Sequence, residues 1–315
     1  MKNRIRLGIS SCLLGERVRY DGGHKLDHYL KNILGQHVEW VGVCPEVESG
    51  LAVPREAMRL VGDKDSSVLI EARTNIDHTG RMLHWATRRL KGLEQEGLCG
   101  FVFKSKSPSC GMRGVKVHRP LGAPAPNGMG VFAQVFIKRF PALPVDDEGR
   151  LQDLGRRENF IERVFVYRRW KELAGKDRGL QDMITFHADH KLLILSHSAK
   201  HYSTLGRLVA HGEYRPEALH EEYLRILMEG LRLEASVKKH TNVLRHAMGY
   251  FKAVLSRDEK DELLKVIGDY HKANVPLLVP VTLMNHYVRK YDEPYLKRQY
   301  YLNPHPDELM LRNHV

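Results

Sequence analysis

The sequence predicts an α/β N-terminal domain with a largely parallel sheet, followed by an all-α C-terminal domain. Two observations carry this. Up to about residue 104, short β-branched runs alternate with helical patterns, and such alternation builds a parallel sheet. From Glu158 onward, apolar residues recur almost throughout at helical spacing. A stretch around "PALPVDDEGRLQD", roughly residues 141 to 155, separates the two styles, placing the domains at 1–145 and 155–315.

The elements follow in order. "IRLGIS" (5–10) reads as a strand, "HKLDHYLKNILGQ" (24–36) as a short amphipathic helix, and "VEWVGV" (38–43) as a second strand. "GRMLHWATRRLKGLEQEG" (80–97) repeats apolar residues at helical spacing and closes on Gly97 as a C-cap. "LCGFVFK" (98–104) is the third strand, and the Pro/Gly-rich "HRPLGAPAPNGMG" (118–130) reads as loop. Beyond Glu158, "FIERVFVYRRWKEL", "LQDMITFHADHKLLILSHS", "EALHEEYLRILMEGLRL" and "KDELLKVIGDYHKA" are all helical.

Composition narrows the class. With 42% apolar and 28% charged residues over 315 positions, the chain can bury two full cores. The sequence shows no signal peptide and no apolar stretch of membrane-spanning length, so a cytoplasmic protein is expected. Four cysteines in so long a chain do not make a disulfide scaffold, which leaves them for metal or catalytic work. The net charge of +12 is uneven: residues 1–140 carry 22 Lys+Arg against 13 Asp+Glu, a surplus of +9. A basic N-terminal domain favours an anionic partner such as nucleic acid.

Three cysteines share one position relative to the strands. Cys12 follows the first ("GISSCLLG"), Cys44 the second ("VGVCPEVESG") and Cys110 the third ("FVFKSKSPSCG"). The carboxyl ends of parallel strands lie along one edge, where ligands bind. Cys99, at the start of the third strand, belongs to the opposite end and reads as a small buried apolar residue. Three convergent thiolates fit several uses. A structural zinc site normally closes with four ligands and shows C-x-x-C spacing, absent here. A three-cysteine catalytic zinc is known in deaminases, whose H-x-E and P-C-x-x-C pattern is also missing. A [4Fe–4S] cluster on three cysteines leaves one iron open; three unrelated buried thiols are the bland alternative.

Polar groups flank each cysteine. Glu46 and Glu48 follow Cys44, with Arg55 beyond; a glutamate two residues from a ligand is suited to general acid–base work, or is simply a loop carboxylate. Ser107 and Ser109 precede Cys110, and either can donate a hydrogen bond to a substrate heteroatom. "RVRYDGGHK" places Arg19 and Tyr20 in a turn fit for phosphate or ring contact, or in an ordinary Asp-Gly turn.

Together "SSCLLGERVRYDGGHK", "VCPEVESGLAVPRE" and "SKSPSCG" resemble the thiouracil desulfidase (TudS) family over roughly residues 5–140. The resemblance implies a [4Fe–4S] cluster held by Cys12, Cys44 and Cys110, with the fourth iron open to the sulfur of a thiolated pyrimidine. It also implies a catalytic glutamate, Glu46, and a catalytic serine, Ser109 or Ser107. The reaction expected of such a site is hydrolytic C–S cleavage that releases sulfide without redox change.

In the helical half, His187, His190, His197 and His201 crowd one segment, with offsets that put the last three on one helical face. With Lys191, Lys200, Ser198 and Tyr202 interleaved, they suit phosphate contact, a metal site or structural polar packing. The tail from Asn285 mixes Tyr with Arg, Lys and His, as single-stranded nucleic-acid binders do. Residues 155–315 resemble a helical domain found fused behind thiouracil desulfidase domains. The fused form resembles the RudS-type tRNA 4-thiouridine desulfidases, which implies tRNA containing 4-thiouridine as the partner. Two other readings stand beside it: a desulfidase of free thiouracil or thionucleosides, and a non-catalytic Fe–S sensor that binds RNA.

Overall fold

The computed structural model describes residues 4–63, 67–119, 123–174, 179–211, 216–305, 309 and 312. The chain divides into two compact units between Gln152 and Asp153.

The first unit carries two four-stranded sheets. One is wholly parallel, ordered β2-β1-β5-β8, with β1 Ile5–Ser10, β2 Val38–Val43, β5 Phe101–Phe103 and β8 Val145–Asp147. β1 and β2 run in register from Ile5↔Val38 to Ser10↔Val43, and Phe101 sits between Gly8 and Val145. Ile5, Leu7, Ile9, Phe101, Val102 and Phe103 are all buried, as expected of central parallel strands covered on both faces. The Phe101 ring lies so close over Gly8 that a Cβ there would meet it at 2.2 Å.

Two helices, α2 (Thr79–Gln95) and α3 (Val131–Arg139), build the core with this sheet. In α2 the buried residues Met82, Trp85, Ala86, Leu90 and Leu93 follow helical spacing. In α3, Phe132 lies 5.3 Å from Trp85, and Phe136 lies 4.6 Å from Phe101 and 5.3 Å from Phe103, ring centroid to centroid. These aromatic contacts add to the burial energy of each ring.

The second sheet, β4-β3-β6-β7, is mixed: β3 (Met58–Val61) pairs antiparallel with β4 (Val68–Glu71) and parallel with β6 (Val115–His118). β7 (Ala125–Gly128) pairs antiparallel with β6, so part of the expected 118–130 loop is an edge strand. Its proline is tolerated because edge strands need not donate on both sides. Two further expectations are corrected. The 24–36 helix is a π-helical turn, Tyr29–Ile33, followed by a 3₁₀ turn, Leu34–Gln36. The third strand is regular only over Phe101–Phe103, although Cys99 and Gly100 already hydrogen-bond to Arg6 and Gly8 of β1. β8 pairs with β5 at residues 145–147.

The regular elements of the second unit, among its described residues, are helices: α4 Leu154–Ala174, α5 Leu180–His197, α6 Ala199–His211, α7 Pro216–Leu231, α8 Val237–Met248, α9 Arg257–His271, α10 Leu278–Lys290 and a short α11, Pro294–Lys297. α9 opens with a capping box, in which the Ser256 hydroxyl accepts from Glu259 N–H and the Glu259 carboxylate accepts from Ser256 N–H. Buried Arg312 donates to Glu158 at 3.0 Å and to Glu162 at 2.8 Å, and so compensates two carboxylates inside α4.

Candidate functional site

The carboxyl ends of β1, β2 and β5 each run into a cysteine-bearing turn. Cys12 sits in a 3₁₀ turn (Ser11–Leu14) one residue after β1. Cys44 follows β2 directly and caps the short helix α1, Pro45–Glu48. Its own N–H donates to Glu48 Oε1 at 2.9 Å, while Glu48 Oε2 accepts from Arg89 Nε of α2 at 3.0 Å. Glu48 therefore closes the turn. Cys110 lies in the turn after β5, where Ser107 Oγ accepts from the N–H groups of Ser109 (3.2 Å) and Cys110 (3.1 Å). The N-terminus of α3 presses on this turn: a Cβ on Gly130 would meet the Ser109 carbonyl at 2.6 Å, so only glycine allows the approach.

These turns wall one cavity of about 450 Å³, lined by Cys12, Cys44, Cys110, Glu46, Arg19 and Tyr20 among others. Cys99 takes no part in it. Cys99 is buried before β5 and its thiol donates to the Gly97 carbonyl at 3.8 Å. Burial pushes the Cys12 thiol up to about 11, and a negative charge on Cys44 adds to the shift. Burial likewise raises Cys44 and raises Cys110 strongly, the latter helped by charge on Cys44 and Cys12. Three thiols that oppose one another's ionisation form a donor set that a soft cation would stabilise, since thiolates are the ligand form. Lys104 and Arg19 work in the same direction on Cys12.

Three cysteine thiolates are the donor type that iron–sulfur clusters require and that zinc also accepts, so the donor set fits a soft metal centre.

Glu46 reaches the cavity from α1. Its Oε1 accepts from Ser109 Oγ at 2.7 Å, and its Oε2 accepts from Arg55 Nε at 2.9 Å and from Arg55 Nη2. The two serines are thus distinguished. Ser107 lines the cavity with its hydroxyl bonded to the turn, whereas Ser109 is fully buried and touches Glu46. Ser107 lies on the cavity wall, while Ser109 meets the cavity through Glu46. Among the described residues lining the cavity, Glu46 is the one carboxylate, against Arg19, Lys25, Arg55, Lys104 and Lys106. The Arg19 guanidinium lies 5.4 Å from the centre of the Tyr20 ring, which is 41% exposed.

Two neighbours escaped the sequence reading of the site. Ser10 hydrogen-bonds the Cys110 side chain and lowers its pKa, while its Oγ accepts from Lys104 N–H at 2.9 Å. Lys104 Nζ donates to Ser105 Oγ at 3.1 Å and pairs with Glu148. Neither belongs to a motif with a recognisable spacing.

The helical-unit residues do not assemble as expected. α5 ends at His197 and α6 begins at Ala199, so His201 does not share a helix with His190. His187 is buried with Nδ1 3.0 Å from Tyr223 Oη. His190 is 1% exposed, stacks on Phe186 at 3.9 Å and donates from Nδ1 to the Phe186 carbonyl at 2.8 Å. His197 is held by the Leu233 carbonyl and Glu162. These three offer no surface to a phosphate, because their helix face turns inward. His201 is partly exposed and bonds Ser198 Oγ at 2.8 Å, while Lys191 lies 5.7 Å from the Tyr202 ring centre. Of the tail, residues 306–308, 310, 311 and 313–315 lie outside the described residues.

Comparison with known proteins matches a different family to each part of the chain. The 2-thiouracil desulfurase family model matches residues 7–148, and a family of unknown function, DUF1722, matches residues 191–306. The chain joins a 2-thiouracil desulfurase domain to a DUF1722 domain. The uncharacterized protein YbgA of Escherichia coli (strain K12) is 30% identical over 160 residues, half of this chain and 94% of YbgA. The uncharacterized protein YbbK of Bacillus subtilis (strain 168) is 29% identical over 108 residues, 33% of this chain and 71% of YbbK. A solved [4Fe-4S]-dependent thiouracil desulfidase, TudS, is 26% identical over 47% of this chain and 94% of its own, with a TM-score of 0.40. Among the described residues, no helix is long and apolar enough to cross a membrane.

Proposed function

We propose that this desulfurase-family chain replaces the ring sulfur of 4-thiouridine in tRNA with oxygen, using a [4Fe–4S] cluster on Cys12, Cys44 and Cys110. The observation that carries the reading is one cavity holding three converging thiols and a single carboxylate, Glu46. When bound, a cluster with three protein ligands supplies an iron open to a soft sulfur donor.

The chain's own residues then have defined work. Glu46 lines the cavity and accepts a proton from the water that attacks the C–S carbon, with Ser109 Oγ holding its Oε1 in place. Tyr20 presents a partly exposed ring at the cavity wall, on which a pyrimidine can stack. The overall change balances without electron transfer: C=S and water become C=O and hydrogen sulfide.

A polynucleotide substrate is supported by the charge around the cavity and by the +9 surplus of residues 1–140. Of the helical-unit residues named from the sequence, Lys191 is partly exposed beside the Tyr202 ring. A cavity of about 450 Å³ also suits a free nucleobase or nucleoside. Turnover of 4-thiouridine in tRNA is therefore compared with that of free 4-thiouracil and 4-thiouridine. The tRNA reading predicts a higher kcat/KM for tRNA that falls steeply with added salt; a preference for the free base overturns it.

A further inference from the structure

Resting on the reading of the cavity as a desulfidase site, we infer that Arg55, which lines the cavity with its donors committed, is a positioning residue of the reaction that acts by aiming Glu46. Glu46 and Glu48 sit two residues apart on the same four-residue helix, yet their partners differ. Glu48 is bound to Cys44 N–H and Arg89 and turns away from the cavity. Glu46 is held across its two oxygens, by Ser109 on Oε1 and by the Arg55 fork on Oε2. A glutamate on so short a helix has several rotamers open to it, and this pair of contacts selects one.

Arg55 is itself immobilised. Nη2 donates to the Val18 carbonyl at 2.9 Å, Nη1 to the Ala52 carbonyl at 3.1 Å, and the backbone N–H to the Tyr20 carbonyl at 2.8 Å. Its side chain is 7% exposed, against 16% for Glu46. Most of its donors are committed, so it acts through Glu46 rather than as a free cation for substrate. The same contacts tie the Val18–Tyr20 segment, which carries Arg19 and Tyr20, to the Cys44–Glu46 turn, whose Cys44 thiol also donates to the Val18 carbonyl at 3.8 Å. One guanidinium therefore sets the base and the wall that receives the ring in a common frame. A lysine, a point charge with no planar fork, cannot make these contacts together.

Loss of the fork frees Glu46 to leave Ser109, and misplacement of a catalytic group by about 1 Å costs on the order of 10²-fold in rate. For Arg55→Ala the expected result is a kcat lowered by about 10²-fold with KM nearly unchanged, iron content equal to the parent, and partial recovery by methylguanidinium but not by methylammonium. Arg55→Lys, which retains the charge and is less disruptive to folding, is expected to keep iron and still lose most of kcat. Unchanged kcat, a loss confined to KM, or iron lost along with activity overturns the inference. A crystal structure of Arg55→Ala tests the geometry independently of turnover: the Ser109 Oγ–Glu46 Oε1 contact is expected to open beyond 3.5 Å, and its persistence overturns the positioning role. If the parent protein releases sulfide from no thiolated uracil, the desulfidase reading falls on that result alone, while the crystal structure still decides what holds Glu46.

Discussion

Acidification distinguishes a buried histidine from one that faces a ligand, and His190 is the residue on which to measure it. In the folded chain burial holds its pKa at about 3, with the nearby Arg169 charge acting in the same direction. A free histidine titrates near 6.5. The folded pKa is depressed, so the group's contribution is intact above about 6.5 and is lost as pH falls from there towards 3. At pH 5 the unfolded chain gains about 2 kcal/mol by protonating this side chain, against about 0.2 kcal/mol at pH 7, while the folded chain gains almost nothing at either. His190→Phe removes that linkage and retains a ring to stack on Phe186. Whatever the substitution costs at pH 7, the cost should be smaller by roughly 2 kcal/mol at pH 5, because other titrating groups cancel between the two proteins. Urea unfolding followed by far-ultraviolet circular dichroism at both pH values supplies the numbers, and ring proton shifts give the pKa directly. An equal cost at both pH values, or a ring titrating near 6.5, refutes the buried assignment and restores His190 as a candidate phosphate contact.

Other consequences follow from the site and the sheet. Cys12→Ser, Cys44→Ser and Cys110→Ser should each lose bound iron after anaerobic reconstitution, whereas Cys99→Ser should match the parent in iron analysis. Ser109→Ala should keep iron and lower kcat by roughly 10 to 10²-fold, as Glu46 loses the donor on Oε1. Ser107→Ala removes the acceptor for two backbone N–H groups and should instead cost about 1–2 kcal/mol in denaturant unfolding. Gly8→Ala places a methyl group 2.2 Å from the Phe101 ring and should cost about 1–3 kcal/mol or more, seen as a lowered Tm.

β1, β2 and α2 were legible because long runs carry their period openly, and the three cysteines because each follows a strand in the same way. The second sheet was not. Its strands have four residues each, too few to show a period, and β7 is "APNG", whose composition reads as a turn. β8 is "VDD", two aspartates that no propensity assigns to a sheet, yet Asp146 is buried and paired with Arg150. In α5 the spacing shows which histidines share a face but not which way that face points. The choice between Ser107 and Ser109 depends on a turn and a helix brought together across 63 residues, and the clasp of Arg55 on Glu46 on a loop that folds back over nine. No local pattern records that.

Hydrolytic desulfuration by three cysteines and Glu46 fixes the stoichiometry of sulfide release. The anaerobically reconstituted protein is mixed with 4-thiouridine-containing tRNA without added reductant, and lost thiouridine, formed uridine and released sulfide are counted together. One uridine and one sulfide are expected for each thiouridine lost, with no turnover by Glu46→Gln carrying the same iron. A fully iron-loaded protein that releases no sulfide from any thiolated uracil, or a Glu46→Gln variant as fast as the parent, contradicts the expectation.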